Sequence, residues 1–158
     1  MRHLALAAAS LSLVAAAATA QPTGAPADVM STITRMTTAV NQGEMPTAFA
    51  AFTANSAIVD DLAPYRWQGA GAAQAWIGAM GANAQAHGVT GIDMQLSPAT
   101  RVEVADDRAY ALVPGRLTFT MKDGHKERAD GLLTFTLQRT GTEWKIDAMA
   151  WSGPAAKP

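Results

Sequence analysis

Residues 131–153 read "GLLTFTLQRTGTEWKIDAMAWSG", two strand-like runs joined at Thr140-Gly141, and this hairpin decides the class of fold. A period of two sends successive side chains to opposite faces of a sheet. In the second run Trp144, Ile146, Ala148 and Ala150 then share one face, expected to pack under helices. Lys145, Asp147, Met149 and Trp151 share the other, where Met149 and Trp151 offer a dimer contact. Upstream, Asp123-Gly124 is a strong hairpin signal between "RLTFTM" and "ERADGLLTFTLQ". Asp106-Asp107 turns the chain into "RAYALVPGRLTFTM", where Pro114-Gly115 predicts a bulge or an edge position at which the sheet bends. With shorter runs at Met94–Leu96 and Val102–Val104, everything beyond Gly91 reads as an antiparallel meander.

Ahead of Gly91 the period is that of a helix. Val29, Ile33, Met36 and Val40 paint one stripe, with Asp28 placed to cap it and Gly43 to stop it. "EMPTAFAAF" restarts a helix, with Pro46 in its first turn and Phe49 and Phe52 on one face. "SAIVD" has the β-branched content of a short strand, and Trp67–Gly69 suits a small partner for it. Gly71–Ala86 is helical again, with Ala73, Trp76, Ile77, Met80 and Ala84 on one side, and Gly88 and Gly91 close it. The expected architecture is α+β: N-terminal helices packed in a curved antiparallel sheet, forming a cone whose open end is an apolar pocket.

The ends and the composition bound the function. Residues 1–20, with Arg2 and His3 ahead of an apolar run and Ala18-Thr19-Ala20 at its end, read as a cleavable export signal. That run is too short to span a bilayer. Residues 21–27 then read as a flexible leader, 28–153 as one domain and 154–158 as a tail. The chain has no cysteine, which excludes disulfides, thiolate metal sites and lipid attachment at the cleavage point. A periplasmic or secreted protein without stable membrane insertion is expected. Removing residues 1–20 takes away Arg2 from 12 basic side chains and none of the 13 acidic ones, and no basic run or stripe remains. Nucleic acid is therefore not an expected partner.

Three stretches together resemble a known family: "NQGEMPTAFAAFTANSAIVDD", the "WQG" that leads into a helix with "AAQAW", and the closing "GLLTFTLQRTGTEWKIDAMAWSG". They resemble the nuclear transport factor 2-like superfamily, in its SnoaL-like and ketosteroid-isomerase-like branch, over about Asp28 to Gly153. The resemblance implies a cone of helices in a curved sheet (a cystatin-like roll), often dimerising through the outer sheet face. It also implies a carboxylate at the end of the first strand that abstracts a proton, carried onto Asp61, with Asp60 on the opposite pleat facing out. The family tyrosine falls at Met36 and the oxyanion-hole acid at Leu133. Asp130, three residues away, points to the other pleat. Steroid isomerase chemistry is not expected, because the stabilising donors are missing.

Asp61 is thus the candidate catalytic or anchoring acid, in a pocket expected to include Tyr65, Trp67, Trp76, Met80, Tyr110, Phe119 and Phe135. Asp60 and Asp61 equally suit a solvated turn, and the aromatics a plain core. His87 and His125 read as loop residues, so no metal site is expected. No Gly-x-Ser-x-Gly elbow or phosphate loop occurs, and no cofactor is implied. The function expected is binding of a small apolar or amphipathic molecule by an exported homodimer. The alternatives are an isomerase, cyclase or dehydratase using Asp61, and an interaction module with a vestigial pocket.

Overall fold

The computed structural model of the protein describes residues 24–153; the expected export signal, residues 21–23 of the leader and the tail lie outside them. Helix α1 (Ala25–Gln42) starts with Pro26 in its first turn, where a missing N–H costs nothing. It therefore begins three residues before the expected boundary at Asp28, takes in the end of the leader, and leaves Asp28 inside the first turn rather than at the cap. Gly43 ends it as expected, at φ 75°. Val29, Ile33 and Met36 are buried along one stripe. Helix α2 (Met45–Ala50) is a short second turn of helix.

Phe52 belongs not to α2 but to the first strand. β1 (Phe52–Val59) runs parallel to the last strand, β7 (Glu143–Ser152), with Phe52 beside Ile146 and Ile58 beside Met149. The short β2 (Arg66–Gln68) pairs antiparallel with β1. Helix α3 (Ala72–Ala86) follows, and Gly91, expected to close it, sits inside β3 (Val89–Leu96). β4 (Arg101–Ala105), β5 (Arg108–Met121) and β6 (Lys126–Thr140) complete the sheet, in the order β2-β1-β7-β6-β5-β3 with β4 also on β5. The result is an α+β fold with a curved, unclosed sheet. The sheet is mixed rather than antiparallel throughout, because β1 enters parallel to β7.

Pro114 makes no bulge: β5 and β6 pair without interruption from Arg108↔Gln138 to Thr120↔Lys126. Its ring nitrogen and carbonyl face the connection between β3 and β4, and the carbonyl accepts from Ser97 N at 2.9 Å. The missing N–H thus falls where one edge partner has ended and the next has not begun.

The bulge lies in β7 instead. Thr136 pairs with Ala148 and Leu137 with Ile146, so Asp147 has no partner on β6. One extra residue reverses which side chains face inward. Trp144 and Ile146 point to the helices before it, and Met149 and Trp151 point to them after it, at 2% and 8% exposure. The expected dimer contact through Met149 and Trp151 is therefore corrected: both are interior. On the inner face Gly115 pairs with Gly131, and the Trp151 indole lies over Gly131, where a Cβ would stand 2.4 Å from Cη2 and 2.8 Å from the Ser152 carbonyl.

Gly131→Ala should cost about 1–3 kcal/mol through this clash. Gly78→Ala, at an exposed mid-α3 position with open space around it, should stabilise by about 0.5–1 kcal/mol. Urea unfolding midpoints check both signs.

Candidate functional site

Beyond the last β1 residue the inward side is taken by Asp60, two residues after the buried Ile58. The loop folds onto that carboxylate. Leu62 N donates to Oδ1 at 2.9 Å, closing an Asx turn, and the Asp60 N–H donates to the Tyr65 carbonyl at 3.2 Å. From α3, the Trp76 Nε1–H donates to Oδ2 at 3.0 Å. Asp60 is 9% exposed, so each oxygen has traded water for one neutral donor.

This carboxylate borders a cavity of about 200 Å³ between the helices and the inner sheet face. The cavity is apolar for most of its wall, and four methionines contribute: Met36, Met80, Met94 and Met149. Its other polar side chains are turned to backbone. The Thr37 hydroxyl donates to the Ile33 carbonyl at 3.1 Å. The Asn41 amide donates to the Met94 carbonyl at 2.8 Å and accepts from Met94 N at 3.0 Å, tying α1 to the free edge of β3. A smaller groove of about 120 Å³ adjoins the cavity and shares Asp60, Met80, Ile92, Leu117 and Trp151 with it. Asp60 thus stands where the two compartments meet.

Asp61 lines only the outer groove and is exposed. Its carboxyl is held above the usual range, first by partial burial and then by the hydrogen bond and negative charge of Asp60. A Cβ on Gly153 would stand 3.2 Å from Trp151 Nε1 and 3.4 Å from Asp61 Oδ2, so both atoms flank the same small space. No Lys, Arg or His of the described residues lines either compartment.

The orientation expected for Asp60 is thus corrected: it faces the cavity rather than out, while Asp61 stands at the mouth. Of the expected pocket residues, Trp76 and Met80 line the cavity, and Phe119 lines the groove with Met80. Tyr65 is 63% exposed, Trp67 and Phe135 are buried in the core, and Tyr110 lies on the outer sheet face beside Arg101. Those four do not line the cavity or its groove: Tyr65 sits in a left-handed turn (φ 71°), the alternation of β5 turns Tyr110 outward, and Trp67 and Phe135 are packed into the core. Met36 and Leu133, where the resemblance puts oxyanion partners, do line the cavity but bring no donor. Asp130 is engaged outside by Arg116 at 2.6 Å. His87 and His125 are exposed, His125 between Asp123 and Glu127 at a hairpin tip. Sequence reasoning missed Asp60, Met149 and Trp151 as site residues. The signal was present: Asp60 is in phase with Ile58, and the large apolar residues of β7 are spaced two, three, two.

Residues 29–156 match the family model described as the SnoaL-like domain. No curated protein matches the sequence. Solved structures share the fold at low identity. A ketosteroid isomerase-like protein from Erwinia carotovora atroseptica is 19% identical with a TM-score of 0.69, over 85% of this chain and 99% of that one. A nuclear transport factor 2-like superfamily protein from Salmonella enterica is 16% identical with a TM-score of 0.67, over 84% and 93%. A hexachlorocyclohexane dehydrochlorinase is 11% identical with a TM-score of 0.67, over 82% and 85%.

Two outcomes are expected from this geometry. Trp76→Phe removes the donor to Asp60 Oδ2 and should destabilise by about 1.5–3 kcal/mol at neutral pH. In an Asp60→Ala background the same change should cost much less, which a double-mutant cycle measures. Because the folded Asp61 carboxyl is raised above its unfolded value, the folded state binds the extra proton and loses stability as pH rises through the carboxylate range. Asp61→Asn cannot ionise, so its stability relative to wild type should climb from about pH 3 toward neutrality and then level off. A difference that falls with pH would contradict this placement of the acid.

Proposed function

Because this chain belongs to the SnoaL-like domain family, we propose that it holds its cavity open to bind a small, largely apolar molecule whose one polar group meets Asp60. The observation that carries this reading is the contrast within the wall: about 200 Å³ bordered by apolar side chains, with a single buried carboxylate at one end. Protein interiors close voids larger than a water molecule wherever side chains allow, so a retained space of this size argues for an occupant. An apolar cavity of about 150 Å³ accommodates benzene, so a compound of about one ring with a short arm fits. Methionine walls add tolerance of shape. The chain is read as exported by residues 1–20 and as pairing with a second copy through the outer sheet face.

A second reading has its own support. Two adjacent acids, one buried and hydrogen-bonded and one held above the usual carboxylate range at the mouth, suit general acid–base chemistry on a bound molecule. A dehydrochlorinase has this fold, so the scaffold accommodates catalysis. The absence of a donor at Met36 and Leu133 argues against an enolate held as in ketosteroid isomerases. The open cavity counts against the vestigial-pocket alternative.

Native mass spectrometry of the protein from its own source should show one retained small molecule on wild type, weakened in Asp60→Asn. Bare protein in both, with no change in tryptophan emission when monocyclic aromatics are titrated in, would sink the binding reading, since Trp76 and Trp151 line the cavity.

A further inference from the structure

We propose that the polar group of the ligand is a cation, and that the site takes a small apolar monoammonium compound. This rests on the ligand-binding reading above and adds a charge to it.

The argument starts from the electrostatic inventory. The titratable side chains lining the cavity and its groove are Asp60 and Asp61, and no basic side chain of the described residues joins them. The ion pairs of the described residues lie elsewhere, on the sheet face, its edges and the hairpin tip. Buried carboxylates are ordinarily paired with a cation or a metal. Asp60 is 9% exposed; it accepts from two neutral donors, the Leu62 N–H and the Trp76 indole N–H, and its remaining partner is the neighbouring acid Asp61. A carboxylate offers about four lone-pair positions, so acceptor capacity remains on a group that borders both cavity and groove.

The surroundings suit an ammonium and little else. Trp76 and Trp151 border the cavity beside Asp60, and indole rings attract cations through their quadrupole. An ammonium at the junction of the compartments meets Asp60 and reaches the groove that holds Asp61, while its apolar body lies among Met36, Met94, Leu117 and Met149. A neutral molecule of the same size would leave two neighbouring acids without a counter-charge. An anion would be repelled by both.

The test is calorimetric titration of the mature protein at neutral pH with three probes of one shape: benzylammonium, benzyl alcohol and benzoate. Benzylammonium should bind at least about tenfold more tightly than benzyl alcohol, a difference of about 1.4 kcal/mol, and benzoate should not bind. In Asp60→Asn, checked for folding by circular dichroism, the preference for the cation should disappear while benzyl alcohol still binds. Should that variant fail to fold, the comparison of the three probes on wild type stands alone. Equal or tighter binding of benzyl alcohol on wild type overturns the cation assignment and leaves the apolar pocket intact. No binding of any probe overturns the pocket reading as well.

Discussion

One extra residue in β7 governs the rest of the structure. Asp147 stands unpaired between Ile146 and Ala148, and the strand reverses its faces there. On one side of the bulge, Trp144 and Ile146 meet α1, whose Thr32 hydroxyl donates to the Trp144 carbonyl at 3.3 Å. On the other, Met149 and Trp151 become the wall of the cavity. The bulged residue is itself held from outside: Thr53 donates to its Oδ1 at 3.3 Å and Arg108 lies 3.6 Å from its Oδ2. A regular β7 would send Met149 and Trp151 to the outer face and put Ala148 and Ala150 in their place, with no indole to border Asp60.

Turning Trp151 inward creates a problem of space, and the glycines answer it. Gly115 and Gly131 face each other across β5 and β6. A Cβ at Gly131 would collide with the indole, and one at Gly115 would stand 2.9 Å from Leu133 and 3.2 Å from Met94. The bare backbone at Gly131 lets the indole lie close against the sheet, and Trp151 borders the cavity. Sheet curvature, the bulge and the glycine pair are thus one arrangement, since each is needed for the volume that the others leave open.

Much of the fold was legible because it follows from periodicity. The stripe of α1, its stop at Gly43, the face of α3 and the hairpins at Asp123-Gly124 and Thr140-Gly141 are local signals, and local geometry obeys them. Several differences arise where a bulge or a pairing partner interrupts a constant period. In β7 the spacing of Trp144, Ile146, Met149 and Trp151 carried the bulge, and a strict alternation overlooked it. Phe52 fits a helix face by spacing, yet pairing with Ile146 draws it into β1. Asp61 was preferred over Asp60 by matching a family position, although Asp60 continues the phase of Ile58. The role of Pro114 depended on where two other strands end, which no local window contains.

Asp60 has a structural role of its own, and that role is compatible with the proposed recognition role for a chemical reason. Leu62 and Trp76 each donate to a different oxygen, so the position needs two acceptors at once. An amide would set its NH₂ against one of those donors, and an alkyl side chain would satisfy neither. The loop after β1 and the face of α3 therefore favour a carboxylate before any ligand arrives. The same two donors hold the carboxylate in place where it borders both cavity and groove. Under the proposed binding, a ligand would meet an acceptor whose orientation folding has already settled, which reduces the ordering cost. Asp61 differs: partial burial raises its carboxyl first, followed by its hydrogen bond to Asp60 and the charge of Asp60. The pair thus divides into an inner acid fixed by Leu62 and Trp76 and an outer acid, exposed at the mouth, whose carboxyl is raised by burial and by its neighbour.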